Sequence, residues 1–248
     1  MKRNKLNLIF ATMVGLTLSS NGATTFTEDF SDNSPNPNML TGSLFGSATT
    51  DYTGGNFKIT SGSSSRIYLG TNDTDYSTND FTFEADVTVP SAIFNNAWTI
   101  AFIGMGSTTP NAGSYGEPVT GSNIVMALRA DDLGNTGNLS SRDNGAFSPQ
   151  FNGLGLTIGT HGMRMDWNAT TKLATFLFDL GNDGTYDPAL TFVVNGSDNG
   201  FTGSNSQLFV GGGNGLIFDN ISITSVPEPS SVLLGGLGVL SLARRRRK

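Results

Sequence analysis

Cysteine is absent, histidine occurs once, and no apolar run reaches the ~20 residues of a membrane-spanning helix. Each absence excludes something. Without cysteine there is no disulfide framework and no thiolate metal centre, so the folded part must hold by packing alone. With His161 as the single histidine, a zinc site lacks both a cysteine and a second imidazole. A serine-nucleophile triad would have to use that one ring as its base. Basic residues are scarce between the ends. Setting aside 1–22 and 227–248 leaves about 204 residues with six basic side chains: Lys58, Arg66, Arg129, Arg142, Arg164 and Lys172. Against them stand 19 acidic side chains, for a charge of −13. Nucleic-acid binding rests on neutralising phosphates, so this balance argues against a nucleic-acid partner. It suits a secreted, soluble or cation-binding surface.

The two ends differ from that middle. Lys2, Arg3 and Lys5 precede a short apolar block over 8–18, and small and polar residues follow, "SSNGA". Basic start, apolar block and small-residue exit in this order predict a signal peptide over 1–22, read by the Sec export machinery. At the other end, "VPEPSSVLLGGLGVLSLARRRRK" joins two prolines, an apolar stretch of about a dozen residues (232–243) and five consecutive basic residues. Glycines 235, 236 and 238 would weaken a soluble helix but are common in membrane helices, and the basic cluster is a positive-inside stop. This ending, Pro227-Glu228-Pro229 followed by a short apolar helix and Arg244, Arg245, Arg246, Arg247 and Lys248, resembles the PEP-CTERM sorting signal of Gram-negative bacteria. The resemblance implies an exosortase, a membrane protease-transferase that recognises Pro-Glu-Pro and processes the chain during export. It implies transient inner-membrane association through the tail (226–248), then a place at the cell surface or in a polysaccharide-rich extracellular matrix.

Between the ends, apolar residues come in short period-2 blocks. In "FTFEADVTV", Phe81, Phe83, Ala85, Val87 and Val89 share one face and Thr82, Glu84, Asp86 and Thr88 the other, the pattern of a half-buried strand. "HGMRMDWN" repeats it, and "KLATFLFDL" follows after "ATT" as a hairpin. "FKIT", "RIYLG", "WTIAFIGMG", "NIVMALRAD", "LTFVV", "QLFVG" and "LIFDNISIT" complete the set. Turns rich in Gly, Asn, Asp and Ser separate them, and nothing long before the tail has helical period. Many short strands predict one all-β domain, a sandwich or barrel, over 24–225. The order "DYSTNDFTFEADVTV", a Gly-containing strand, "TIGTHGMRMDWNATTKLATFLFD" and a closing "FDNISIT" resembles the concanavalin A-like/laminin G-like jelly roll. The resemblance implies two antiparallel sheets with the termini side by side, so "TTFTEDF" should pair near "FDNISIT".

Four constellations invite chemistry. Glu84 and Asp86 match part of the Glu-x-Asp-x-x-Glu strand of glucanases that share this fold. Retaining hydrolysis needs two carboxyl groups about 5–5.5 Å apart in acid and nucleophile roles. The third position here is Val89, so these read as solvent-facing strand residues. In "DLGNDGTYD", Asp179, Asp183 and Asp187 fall at ligand positions 1, 5 and 9 of an EF-hand-like loop, but Gly181 and Leu190 occupy positions 3 and 12. A tight turn is the preferred reading, with a weak calcium site as the alternative. His161 reads as a partly buried strand-start residue. Trp98, Trp167, Tyr52, Tyr68, Tyr76, Tyr115 and Tyr186 offer rings for sugar stacking; Trp167 looks core-facing, and Tyr115 and Tyr186, in loops, are the better ligand-binding candidates. The expectation is a non-catalytic, exported protein that binds or lies among polysaccharide. The alternatives are a glycoside-active enzyme and an ice-binding or purely structural surface protein.

Overall fold

The computed structural model describes residues 25–60, 66–90, 99–106, 123–129, 137–144, 146–201, 205–213 and 215–225. The signal segment, the sorting tail from 226 onward and Tyr115 lie outside them. The strands are β1 (Phe26–Glu28), β2 (Met39–Phe45), β3 (Thr50–Asp51), β4 (Phe57–Ile59), β5 (Arg66–Thr71), β6 (Phe81–Val89), β7 (Thr99–Gly106) and β8 (Asn123–Arg129), followed by β9 (Asn138–Asp143), β10 (Ala146–Asn152), β11 (Gly159–Asn168), β12 (Leu173–Asp179), β13 (Phe192–Asn195), β14 (Gln207–Gly213) and β15 (Ile217–Ser225). Among the described residues the helical elements are short 3-10 turns. Sheet A runs β13-β12-β11-β6-β15-β4-β3, with β1 also paired to β15; sheet B runs β10-β9-β8-β7-β14-β5-β2.

Side-chain period dictates this layering. A strand turns successive side chains to opposite faces, so an alternating sequence has one apolar face that must be covered. β6 buries every odd position and leaves every even one half-buried. Its neighbour β11 sets Met163, Met165 and Trp167 opposite Ala85, Phe83 and Phe81. Together they meet Ile67, Leu69, Ile103, Met105, Ile124, Met126 and Leu128 from sheet B in one continuous core. Fully burying side chains of this size contributes about 1.5–3 kcal/mol each, which is how a domain without cross-links offsets the entropy of ordering its chain.

The ends of the domain meet as the jelly-roll resemblance implies. β1 pairs antiparallel with β15 in the register Phe26↔Ile223, Thr27↔Ser222 and Glu28↔Ile221. Thr25 and Ser225 line one shallow groove together with residues of both strands. The last described residue, where the sorting tail begins, is therefore beside the first. The predicted β11–β12 hairpin also forms: Asn168 faces Leu173, and the Asn168 carboxamide oxygen accepts from the Thr171 amide at 2.7 Å and its hydroxyl at 2.9 Å. β10, the outer strand of sheet B, carries Pro149 and a register shift between Pro149 and Phe151. Both devices discourage a further strand from pairing there.

Candidate functional site

The outward face of sheet A is polar because the even positions of β6 and β11 are polar. Glu84 faces Arg164 across the ladder and Ser222 on its other side. The Arg164 guanidinium lies 3.3 Å from Glu84 and 2.8 Å from Asp166, and the Thr82 hydroxyl donates to Asp166 at 2.7 Å. Burial works against the charge of Arg164, but Asp166 and Glu84 outweigh it and raise its pKa. The loop after β12 folds back over this network. Tyr186 donates its hydroxyl to Glu84 at 3.3 Å, and its ring lies 5.6 Å from the Arg164 guanidinium. Burial first, and then the Glu84 charge, raise the Tyr186 pKa. Tyr186 is thus half-buried and engaged with the sheet, and Glu84 sits in an ion-paired strand network. Val89, at the third position of the glucanase pattern, is fully buried in the core.

The Asp179 loop is closed by its own backbone. Asp179 accepts from the Asp183 amide at 3.3 Å with one oxygen and from the Gly184 amide at 2.9 Å with the other. Asp183 accepts from the Thr185 amide and Asp187 from the Ala189 amide. Asn182, Gly181 and Gly184 supply the positive φ of a tight turn. Among the described residues, no set of three acidic, histidine or cysteine side chains is grouped to hold a metal ion. His161 is fully buried at the foot of this loop and stacks on Phe178. Its Nε2–H donates to the Thr157 carbonyl at 2.9 Å, which leaves Nδ1 to accept from the Gly181 amide at 3.0 Å. The single histidine is a neutral strut, its pKa lowered mainly by burial. Beside β6, Asp86 stands opposite Asp219, whose pKa is raised by burial and then by the charges of Asp86 and Asp29.

The outward face of sheet B differs in kind. Leu44, Tyr68, Phe102, Val125, Ala127 and Phe209 form a second buried cluster there. Rings reach over glycines of the adjoining strand. A Cβ on Gly42 would stand 2.2 Å from the Tyr68 ring, and one on Gly211 would stand 2.7 Å from the Phe102 ring. Tyr68, Tyr76 and Trp167 are all too buried to serve as sugar platforms. At the β10 edge the face opens. Phe147 stands opposite Arg142 and is 40% exposed. The guanidiniums of Arg142 and Arg129 each lie 4.9 Å from its ring centroid. The sequence reading passed over this group. Its signal was the Asn-Gly dipeptide at 144–145, a sequence favoured in tight hairpins, between two segments too polar to register as strands.

Comparison with known proteins addresses both ends of the account. The PEP-CTERM protein-sorting motif matches residues 225–248. The chain carries a PEP-CTERM sorting signal. Such a signal marks a chain for export and membrane-anchored processing; among the described residues, no helix is long and apolar enough to cross a membrane. No curated protein matches the sequence at a significant level. Solved structures do match its fold. Lectin I-B4 of Griffonia simplicifolia, in its metal-free form, superposes with a TM-score of 0.57 at 12% identity, covering 83% of this chain and 100% of the lectin. The winged bean acidic lectin complexed with methyl-α-D-galactose gives 0.58 at 13%, covering 82% and 98%. The exoplasmic/lumenal domain of VIP36, in a form bound to Ca2+ and Man3GlcNAc, gives 0.55 at 10%, covering 79% and 86%. At these identities the likeness shows the fold alone, and that fold is the concanavalin A-like jelly roll.

Proposed function

We propose that this is an exported, exosortase-processed surface or matrix protein whose jelly roll binds polysaccharide without cleaving it. The observation that carries the reading is the pairing of a sorting signal over 225–248 with a lectin-like sandwich. The terminal strand pairing supports it: β15 ends beside β1, so the residue from which the tail continues lies next to the first described strand. Processing would use Pro227-Glu228-Pro229; proline lacks a backbone donor and disfavours helix in the residue before it, properties that suit a segment a protease must grip. Arg244 to Lys248 resist translocation because charge is costly to bring into hydrocarbon. The non-catalytic part rests on Glu84 and Asp86. Glu84 is held by Arg164, Tyr186 and Ser222, and Asp86 accepts a hydrogen bond from Asn220 at 2.8 Å. The third carboxylate position of the glucanase pattern is the buried Val89, which can supply no acid/base group.

Calcium enters through the structural neighbours, since VIP36 has been solved with Ca2+. The Asp179 loop does not fit that ion, because its carboxylates are turned onto local amides. A glycan-array screen of the full chain, with calcium and with a chelator, tests the reading. Retention on at least one polysaccharide with no release of reducing sugar is expected. Release of reducing ends would favour the glycoside-active alternative, and no retention on any glycan would remove the binding role.

A further inference from the structure

The loop over 180–187 leaves β12 and folds back onto β11. A glycine gives it room. Gly162 shares the outward parity of Arg164 and Asp166 and stands opposite Asp179. A Cβ there would lie 3.1 Å from the Asp179 Cβ, 3.4 Å from the Asn182 Oδ1 and 3.6 Å from the Tyr186 Cε1. The loop thus rests on β11 where the outward face of that strand carries no side chain. Two latches hold it there. On the outward face the Tyr186 hydroxyl donates to Glu84 at 3.3 Å. At the other end the Gly181 amide donates to Nδ1 of His161 at 3.0 Å. The Asp183 and Gly184 amides donate to Asp179, and the Asp187 amide closes the base of the loop on the Phe178 carbonyl at 3.2 Å. Those ties shape the turn on β12 and do not reach β11.

The His161 latch works in one protonation state. Nε2–H is committed to the Thr157 carbonyl at 2.9 Å, so the ring meets the Gly181 amide with the lone pair of Nδ1. A proton on Nδ1 would set two N–H groups against each other. The ring is fully buried, and burial disfavours the imidazolium. Val87 opposite it on β6, Phe178 stacked on it from β12 and Thr157 ahead of β11 bring no charge. Among the described residues Asp179 on β12 is the charge that acts on it. Burial outweighs both the hydrogen bond to Thr157 and that charge, so the latched ring is neutral. Lifting the loop removes the donor from Nδ1 and opens that side of the ring to water, which solvates the imidazolium.

We propose that the 180–187 loop is an acid-released strap: protonation of His161 breaks its hold on Gly181, the loop lifts from Gly162, and the Glu84–Arg164 row of sheet A is uncovered. The hydrated ring of the lifted form titrates nearer its ordinary 6.5 and the latched ring lower. Between those two values the lifted form gains on the latched form by up to about tenfold per pH unit.

Hydrogen exchange of the full chain tests this, read as protection relative to the unfolded chain between about pH 7.5 and about pH 4.5. The imidazole of the single histidine is titrated by NMR in the same samples. Protection at Gly181, Asp183 and Gly184 should fall on acidification with the midpoint at which His161 titrates, while the β6 and β11 amides stay protected. His161→Gln keeps a neutral side chain at every pH and should lose the acid-dependent fall. Tyr186→Phe removes the hold on Glu84 and should move the His161 midpoint upward, toward 6.5, because a looser strap resists protonation less. A fall in loop protection that persists in His161→Gln would assign the acid response to the Asp179 carboxylate and overturn the proposal. Loss of β6 and β11 protection together with the loop, or a His161 titration that leaves the loop amides unchanged, would overturn it as well. Should His161→Gln fail to fold, the wild-type midpoints and the Tyr186→Phe shift decide: coincident midpoints that move together support the strap, and separate or unmoved midpoints refute it.

Discussion

Replacing His161 by Phe probes a titratable group that is fully buried on the core side of sheet A. The phenyl ring would keep the stack on Phe178, now at 5.7 Å between centroids and 21° between planes. It would leave the Thr157 carbonyl and the Gly181 amide without their partner. A buried polar group left unpaired costs about 1–3 kcal/mol, so the pair should cost about 2–6 kcal/mol. For a domain of this size that is a drop in melting temperature of roughly 4–24 °C. The pH profile gives an independent readout. His161 has its pKa lowered from 6.5 by burial, opposed by the hydrogen bond to Thr157 and by Asp179, its charged neighbour on β12. The unfolded chain takes up the imidazole proton below about pH 6.5, and the folded chain only at lower pH. Between those two values the unfolded state holds more protons, so stability falls as pH falls, by about 1.4 kcal/mol for each unit of depression. Above 6.5 this group adds no slope. Scanning calorimetry of wild type and His161→Phe across that range should show the variant less stable near neutrality and the gap closing on acidification. A variant that melts with wild type at neutral pH, or that keeps the same acid slope, would refute the strut and its tautomer.

Two further outcomes follow from packing and from the loop. Gly211→Ala places a Cβ 2.2 Å from the Ile67 carbonyl oxygen and 2.7 Å from the Tyr68 Cα, backbone atoms that cannot step aside. It should cost at least about 1–3 kcal/mol in a urea titration, and an unchanged midpoint would show that β5 and β14 are not so close. Millimolar calcium should raise the melting temperature by less than ~10 °C, since weak binding stabilises only as the logarithm of ligand over Kd; a larger rise would show that the Asp179 carboxylates turn from their amides to a cation.

The strands that alternate cleanly were legible in the sequence, and those that do not were missed. β6 and β11 each bury an apolar parity against a polar one, so period alone located them to within a residue or two. β9 buries Ser140, Ser141 and Arg142, and β10 buries almost nothing. Both lack the contrast that period-2 reading needs, because β9 carries polar side chains on both parities, Ser141 opposite core Met126 and Ser140 opposite Ala127, and β10 is an edge. β2 was lost for a related reason. Gly42 occupies an outward position under the Tyr68 ring, so the strand shows a gap where a side chain would mark its face. The pairing of β1 with β15 was expected from the jelly-roll resemblance and was found. Tyr186 was legible as a loop aromatic, but its engagement with Glu84 and Arg164 depends on the loop folding back over sheet A, which local sequence does not encode. Phe147 and its arginines come from three strands, and only the register of β8, β9 and β10 brings them together.

On the proposed function, the tail is a handle and the jelly roll is the mature protein. Intact-mass measurement of the protein recovered from outside an exosortase-containing host tests it most directly. The expected species is cleaved at or near Pro227-Glu228-Pro229 and lacks the arginine cluster, and a Glu228→Ala chain should stay uncleaved in the membrane fraction. Recovery of an extracellular protein that still ends in Arg247-Lys248, or release of the Glu228→Ala chain in the same form as wild type, would contradict it.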